Sequence, residues 1–266
     1  MKSDLTNALK EIDYFLLDMD GTIYLSDTPI GDMANTLKFL RENGKKIIYL
    51  TNNSSKSVNN YIEKLKKLSF YDDRDEVYSS ALGAAHYIKD NYNGQSVHVL
   101  GTESIKKELK SKGLNVTDSL NADIALLTYD MELNYEKLCN FIKCINNGAK
   151  YFATHPDVCC PNVQVFLPDA GSFIKMIEVS NGFVPEIIIG KPSNIMGENL
   201  QRRLNLKPNK FIMVGDRLHT DIEFGINCNF YTMLVMSGET TKETLKKSEI
   251  KPNFILNSLN DVKNYF

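Results

Sequence analysis

What this sequence lacks narrows its function before any motif is read. No apolar run approaches the roughly 20 residues needed to span a bilayer, so no membrane partner is expected. No C-x-x-C pair occurs among the five cysteines, Cys139, Cys144, Cys159, Cys160 and Cys228, and the odd count includes one adjacent pair that is poorly placed to bridge itself. Neither a zinc site nor a disulfide framework is implied, and thiols in a reducing compartment are the expectation. Excess positive charge is missing too. The formal net charge of −2 offers no basic field for nucleic acid or an anionic membrane. The lysine-rich stretches Lys64–Lys67 and Lys106–Lys112 alternate with acidic and apolar residues at helical spacing, and read as solvated faces. Residues 1–13 carry Asp4 and Glu11 and no long apolar core, so a secretory signal is not expected and a cytoplasmic location is. There is neither an internal repeat nor a low-complexity segment.

What is present is an alternation of apolar, β-rich runs with amphipathic helical patterns along nearly the whole chain, the mark of a parallel-sheet α/β fold. Strands are expected at Tyr14–Leu17, Lys46–Leu50, Val77–Tyr78, Val97–Leu100, Ala122–Thr128, Lys150–Ala153, Glu186–Ile189, Lys210–Val214, Tyr231–Val235 and Phe254–Leu256, with an extended segment at Val163–Leu167. Four of these runs end in polar or glycine-containing exits: Asp18–Thr22, Thr51–Asn53, Lys191, and Asp216–Asp221. The long interval between Thr51 and Lys191 holds a βα series of its own, with such an exit only at Thr154–Asp157. The expectation is a doubly wound, Rossmann-like core from residues 1–80 and 183–266, with a second α/β domain, 81–182, inserted between its halves.

The exits carry the chemistry. Asp18 and Asp20 stand two positions apart at a strand end, where alternation sends both to one side. Two carboxylates so close call for a cation or a shared proton. Thr51-Asn52 reads either as a helix N-cap or as a hydroxyl-and-amide cradle for an anion. Lys191, in Gly-Lys-Pro, is a turn lysine or a charge partner for a phosphoryl group; Pro185 stands where a P-loop needs glycine. Asp216 and Asp221 are a cap pair or oxygen ligands for a hard cation. Together the four segments supply one cation site, donors for a phosphate and a carboxylate nucleophile with a second carboxylate beside it, which is what phosphomonoester hydrolysis requires.

Asp18-Met-Asp-Gly-Thr-Ile-Tyr24, Thr51-Asn-Asn-Ser54, Gly190-Lys-Pro-Ser193 and Gly215-Asp-Arg-Leu-His-Thr-Asp221, in this order, resemble the haloacid dehalogenase superfamily. The fit is closest to subclass IIA, the para-nitrophenyl phosphatase and nucleotidase-like branch with a large α/β cap. The resemblance implies Asp18 as the nucleophile that forms an aspartyl-phosphate and Asp20 as general acid, then base. It implies Thr51, Asn52 and Lys191 as phosphoryl ligands. Mg2+ would sit on the Asp18 carboxylate, the Asp20 carbonyl and Asp216, with Asp221 in support. In the cap, Thr154–Asp157 and Pro168–Ser172 resemble segments near the substrate, making His155, Asp157 and Asp169 candidates for selectivity. Family members often carry Asn and Gly where His155 and Asp169 stand, and His155 also reads as a loop histidine with no ligand role. The implied enzyme is a Mg2+-dependent phosphatase of small soluble phosphomonoesters, such as sugar phosphates or nucleoside monophosphates, acting as a monomer or homodimer. A non-catalytic phosphometabolite-binding protein and a phosphotransferase to a sugar acceptor are the alternatives.

Overall fold

The computed structural model describes residues 2–160 and 165–266. The chain divides into two compact units, one of residues 1–51, 59–78 and 191–266, the other of residues 52–58 and 79–190.

The first unit is built on a six-stranded sheet. Its order is Phe254–Leu256, Tyr231–Val235, Phe211–Gly215, Tyr14–Leu17, Lys46–Thr51, Glu76–Ser79. Tyr-Phe-Leu-Leu, Phe-Ile-Met-Val-Gly and the Ile-Ile-Tyr-Leu-Thr part of strand Lys46–Thr51 are buried throughout. Such unbroken apolar runs belong to parallel strands covered on both faces. The chain starts in the middle of the sheet, winds outward through Lys46–Thr51 to Glu76–Ser79, and later resumes on the opposite flank of Tyr14–Leu17. Leu17 lies level with Val214 on one side and Tyr49 on the other, all in parallel register. The strand order therefore reverses beside the first strand, and the crevice at the carboxyl ends there is where such sheets bind ligands.

Helix Met33–Glu42 buries Met33, Thr36, Leu37 and Leu40, one stripe at helical spacing. Gly44, at φ +76°, follows its C-terminus. Two details depart from the sequence reading. The sequence after the Gly215-Asp216 exit reads as a helix from about Thr220 to Phe224, but the helix begins earlier, as a single π-turn over Leu218–Ile222 that passes into Glu223–Asn227. Asp221 N–H and Ile222 N–H both donate to the Arg217 carbonyl, and this widened turn draws Asp221 back toward the strand end. The second departure is Lys64, on helix Val58–Lys67. Its side chain is only 31% exposed, and it engages the short hairpin Tyr24–Leu25/Thr28–Pro29 rather than solvent.

The second unit has its own five-stranded sheet, in the order Ile187–Ile188, Lys150–Ala153, Ile124–Leu127, Ser96–Leu100, Asn115–Thr117, all parallel. Phe141, Tyr151, Leu127 and Ile177 anchor a core against its helices. Ser79 caps helix Ser80–Asn91 by accepting from Leu82 N–H. The sequence reading opens the inserted domain at 81 and closes it at 182, whereas this unit also takes in 52–58 and runs to 190. Hydrogen bonds account for the extra segment: Ser54 Oγ accepts from Tyr129 N–H at 2.8 Å, Thr102 Oγ1 donates to the Ser55 carbonyl at 3.0 Å, and Val58 N–H donates to Glu108 at 3.0 Å. Leu167–Pro168 pairs antiparallel with Cys159–Cys160, and the rest of the extended segment expected at Val163–Leu167 lies in part outside the described residues.

Candidate active site

Within the first unit, four of the expected residues converge. Asp18 leaves the first strand with its N–H still on the ladder, donating to the Val214 carbonyl at 2.9 Å. Asp216 leaves the neighbouring strand immediately after Gly215. Lys191 Nζ donates to Asp18 Oδ1 at 2.7 Å and to Asp221 Oδ1 at 2.6 Å, joining two carboxylates that are 203 residues apart in sequence. Asp221 Oδ2 accepts from the Arg217 N–H at 3.1 Å. Asp18, Asp216 and Asp221 each present an oxygen within 4.8 Å of the other two.

The electrostatics of this cluster are unbalanced. Asp216 and Asp221 are buried, Asp18 keeps 17% of its side chain exposed, and the ammonium between them is a single charge against three. Burial, then the charge of Asp18, pushes the Asp216 carboxyl up to about 8 and that of Asp221 up to about 6. Burial would depress the Lys191 ammonium, but Asp18 and Asp221 more than offset it and hold it protonated. Asp216 Oδ2 accepts from Glu239 N–H at 2.6 Å, while Oδ1 is buried with no partner among the described residues. A buried carboxylate oxygen left unbonded is costly unless something positive sits against it. An all-oxygen donor set with surplus negative charge fits a hard divalent cation such as Mg2+.

Bare backbone makes room for the acids. Gly21, at φ +87°, lies so near that a Cβ there would come within 2.5 Å of Asp216 Oδ2, so glycine is required on both conformational and steric grounds. Gly238 packs still more tightly against the same Oδ2 oxygen. Ser237 Oγ donates to the Gly21 carbonyl at 2.8 Å. The loop Ser237–Thr240 thus completes the cradle of Asp216, and the sequence reading gave it no role. A signal was available: it follows Tyr231–Val235, a further buried strand with a polar, glycine-containing exit. Arg217 was likewise passed over. Its guanidinium, 2.8 Å from Glu239, feels the charges of Asp18, Asp216 and Asp221.

Asp20 sits one tight turn beyond Asp18. Thr22, Ile23 and Tyr24 N–H all point to the Met19 carbonyl, and Gly21 N–H donates to Tyr24 O at 2.8 Å. Asp20 is open to solvent, yet partial desolvation raises its carboxyl above the usual range, opposed chiefly by Lys64. Thr51, 8% exposed, ends its strand in the same unit. Asn52, next in sequence, belongs to the second unit, where its amide donates to Asp157 at 3.1 and 3.3 Å and its carbonyl accepts from Ser80 Oγ.

The second unit treats its three expected residues unequally. His155 is fully buried, with Nε2 2.9 Å from Asp169 Oδ1 and Nδ1 3.1 Å from Thr154 Oγ1. Asp169 is buried as well, and accepts from Ala170 N–H at the start of helix Ala170–Asn181. Asp157 is half-buried. His219, between Asp216 and Asp221 in sequence, is exposed.

Comparison with known proteins agrees with this arrangement. Residues 15–115 match the haloacid dehalogenase-like hydrolase family model, and residues 188–262 match a second model of HAD-like hydrolases. The acid sugar phosphatase of Staphylococcus epidermidis is 34% identical over 252 residues, covering 95% of this chain and 97% of that protein. The corresponding protein of Staphylococcus saprophyticus is 34% identical over 254 residues, 96% and 98% of the two chains. Among solved structures, the 4-nitrophenylphosphatase of Thermotoga maritima superposes with a TM-score of 0.92 at 34% identity, over 97% of this chain and 99% of that one. The p-nitrophenyl phosphatase of Archaeoglobus fulgidus gives 0.89 at 28% identity, over 96% and 99%. With relatives this similar matched over almost their full length, the chain belongs to the haloacid dehalogenase-like hydrolases, in the subclass IIA branch of the 4-nitrophenylphosphatases.

Proposed function

We propose that the chain is a Mg2+-dependent phosphatase that hydrolyses small soluble phosphomonoesters through an aspartyl-phosphate on Asp18. One observation carries this reading: three buried or half-buried carboxylates meet, two of them held by one ammonium and the third, Asp216, with a buried oxygen that has no partner among the described residues. Asp18, the Asp20 carbonyl and Asp216 would hold the cation, with Asp221 oriented behind them by Lys191 and Arg217 N–H. When bound, the cation supplies charge neutralisation at the phosphoryl oxygens.

The chain's own residues do the rest. The Asp18 oxygen that Lys191 does not hold, Oδ2, attacks phosphorus as the ester P–O bond breaks, and Asp20 gives its proton to the departing oxygen. Partial desolvation, which raises the Asp20 carboxyl, favours the protonated form that this step needs. Water then attacks phosphorus, yields a proton to Asp20, and the Asp18–phosphoryl bond breaks to release phosphate. Lys191 compensates charge on the transferring group throughout, and Thr51 with Asn52 supplies the remaining phosphoryl donors. The two sugar phosphatases and the two nitrophenyl phosphatases above support sugar phosphates and p-nitrophenyl phosphate as substrates. The second unit serves as the cap that selects among them, with Asp157, its one half-exposed candidate, facing that task.

The test is phosphate release from p-nitrophenyl phosphate with Mg2+ and with a chelator, for the native chain and Asp18→Asn. Chelation and the substitution should each abolish turnover, the latter by on the order of 10³-fold or more, with the melting transition retained. An Asp18→Asn protein that keeps most of its rate excludes Asp18 as nucleophile.

A further inference from the structure

Lys64 is the cation that the sequence pattern assigns to solvent and the structure does not. Its ammonium lies 3.9 Å from the centroid of the Tyr24 ring, donates to the Ser26 carbonyl at 2.6 Å and stands 3.3 Å from Asp27 Oδ1. All three partners lie in the hairpin that follows the Asp20-Gly21-Thr22 turn. One side chain from helix Val58–Lys67 therefore grips an arm and the tip of that hairpin at once. The tip needs support, because Ser26 adopts φ +54°, a left-handed conformation that costs a non-glycine residue on the order of 1 kcal/mol. The Ser26 carbonyl is held by Lys64, and the hairpin's first arm is tied back to the acid's own turn: Gly21 N–H donates to the Tyr24 carbonyl at 2.8 Å, and Asp20 pairs with Tyr24 in an isolated bridge.

We propose that Lys64 is a positioning residue of the reaction, holding the Ser26 turn so that the Asp20 carboxylate stays in line with the leaving oxygen. The inference rests on the reading of Asp20 as general acid. Asp27, its carboxylate 92% exposed, contributes little, since a solvated ion pair is worth under about 1 kcal/mol. The carbonyl bond and the ring face are the contacts that matter.

The experiment compares kcat/KM on two substrates, because this constant reports only the steps through departure of the alcohol. An alkyl phosphate, such as a hexose phosphate, needs a proton on its leaving oxygen; p-nitrophenyl phosphate, with a weakly basic leaving group, does not. Lys64→Met should lower kcat/KM about 10-fold on the alkyl ester and less than about 3-fold on the aryl ester, a positioning loss smaller than the ~10²-fold or more of removing the acid itself. Lys64→Arg, which can still donate and lie on the ring, should restore the alkyl rate to within about 3-fold. Asp27→Asn should leave both constants nearly unchanged. Asp20→Asn is the benchmark and should separate the two substrates more strongly than Lys64→Met. If Asp20→Asn separates them and Lys64→Met lowers both equally, or neither, Lys64 is not a positioning residue. If Asp20→Asn itself fails to separate them, the acid role falls, and this inference with it, by a result visibly different from the first.

Discussion

Both units bury acids just beyond strand ends, yet only one of them leaves those acids short of partners. In the second unit Asp130 is matched by Lys137 at 3.0 Å, and Asp169 by His155 at 2.9 Å together with the Ala170 N–H. In the first unit Asp18 and Asp221 share Lys191, and Asp216 beside them keeps an oxygen with no partner among the described residues. Burial of a carboxylate is common to both regions and marks neither as a site. The imbalance marks the site, because a fold that needed only stability would pair these groups or replace them with apolar ones.

The sharpest way to break this comparison is to remove one acid from each region. Asp216→Asn should lower Mg2+-dependent turnover by about 100-fold or more while leaving the chelated protein as stable as before, or more so, since it relieves like-charge crowding. Asp130→Asn should do the opposite. It leaves Lys137 facing an amide at a site that is almost fully buried, costing about 1–3 kcal/mol in the melting transition, with turnover near native. Thermal denaturation with and without chelator, beside phosphate release, measures both. Equal behaviour of the two variants would end the distinction drawn here.

A change of pH sharpens the same contrast without mutation. Asp216 and Asp221 have carboxyls raised by burial to about 8 and about 6 in the folded, metal-free chain, above the values they have unfolded. The folded state then binds more protons than the unfolded one across that interval, so stability falls as pH rises from about 4 to 8. Chelated protein should therefore melt at progressively lower temperature between pH 5 and 8. Added Mg2+, by favouring the ionised carboxylates, should flatten or reverse the slope. A chelated protein whose melting temperature rises over that range would contradict the charge surplus.

How much of this was legible in the sequence divides along physical lines. Central strands such as Tyr14–Leu17 and Lys46–Thr51 announce themselves, because doubly covered parallel strands must be apolar without interruption. The convergence of Asp18, Lys191 and Asp221 was legible only as a shared pattern of strand exits; no spacing rule brings position 18 to position 221. Edge features stayed dark. The hairpin Tyr24–Leu25/Thr28–Pro29 has two-residue arms and no alternation, and helix Lys242–Lys247 is too short to show a period. Lys64 misled for a related reason: helical spacing tells which face a residue occupies, and says nothing of a hairpin that covers that face.

The smallest expected effect tests where selectivity resides. His155 and Asp169 resembled cap residues that choose the substrate, but both side chains are buried and satisfy each other, with Thr154 Oγ1 closing the imidazole's other nitrogen. A pair so occupied orders its loop rather than reads a ligand. His155→Asn should therefore cost about 1 kcal/mol of stability, because Asp169 loses one partner and keeps the Ala170 N–H. Its kcat/KM should change by less than about 3-fold, and by the same factor across a panel of sugar and nucleoside phosphates. Asp157→Asn, at a half-buried carboxylate that accepts from Asn52, should instead reorder that panel. If His155→Asn reorders it and Asp157→Asn does not, the buried pair reaches the substrate by displacing the Thr154–Asp157 loop, and charge at position 157 has no part in the choice.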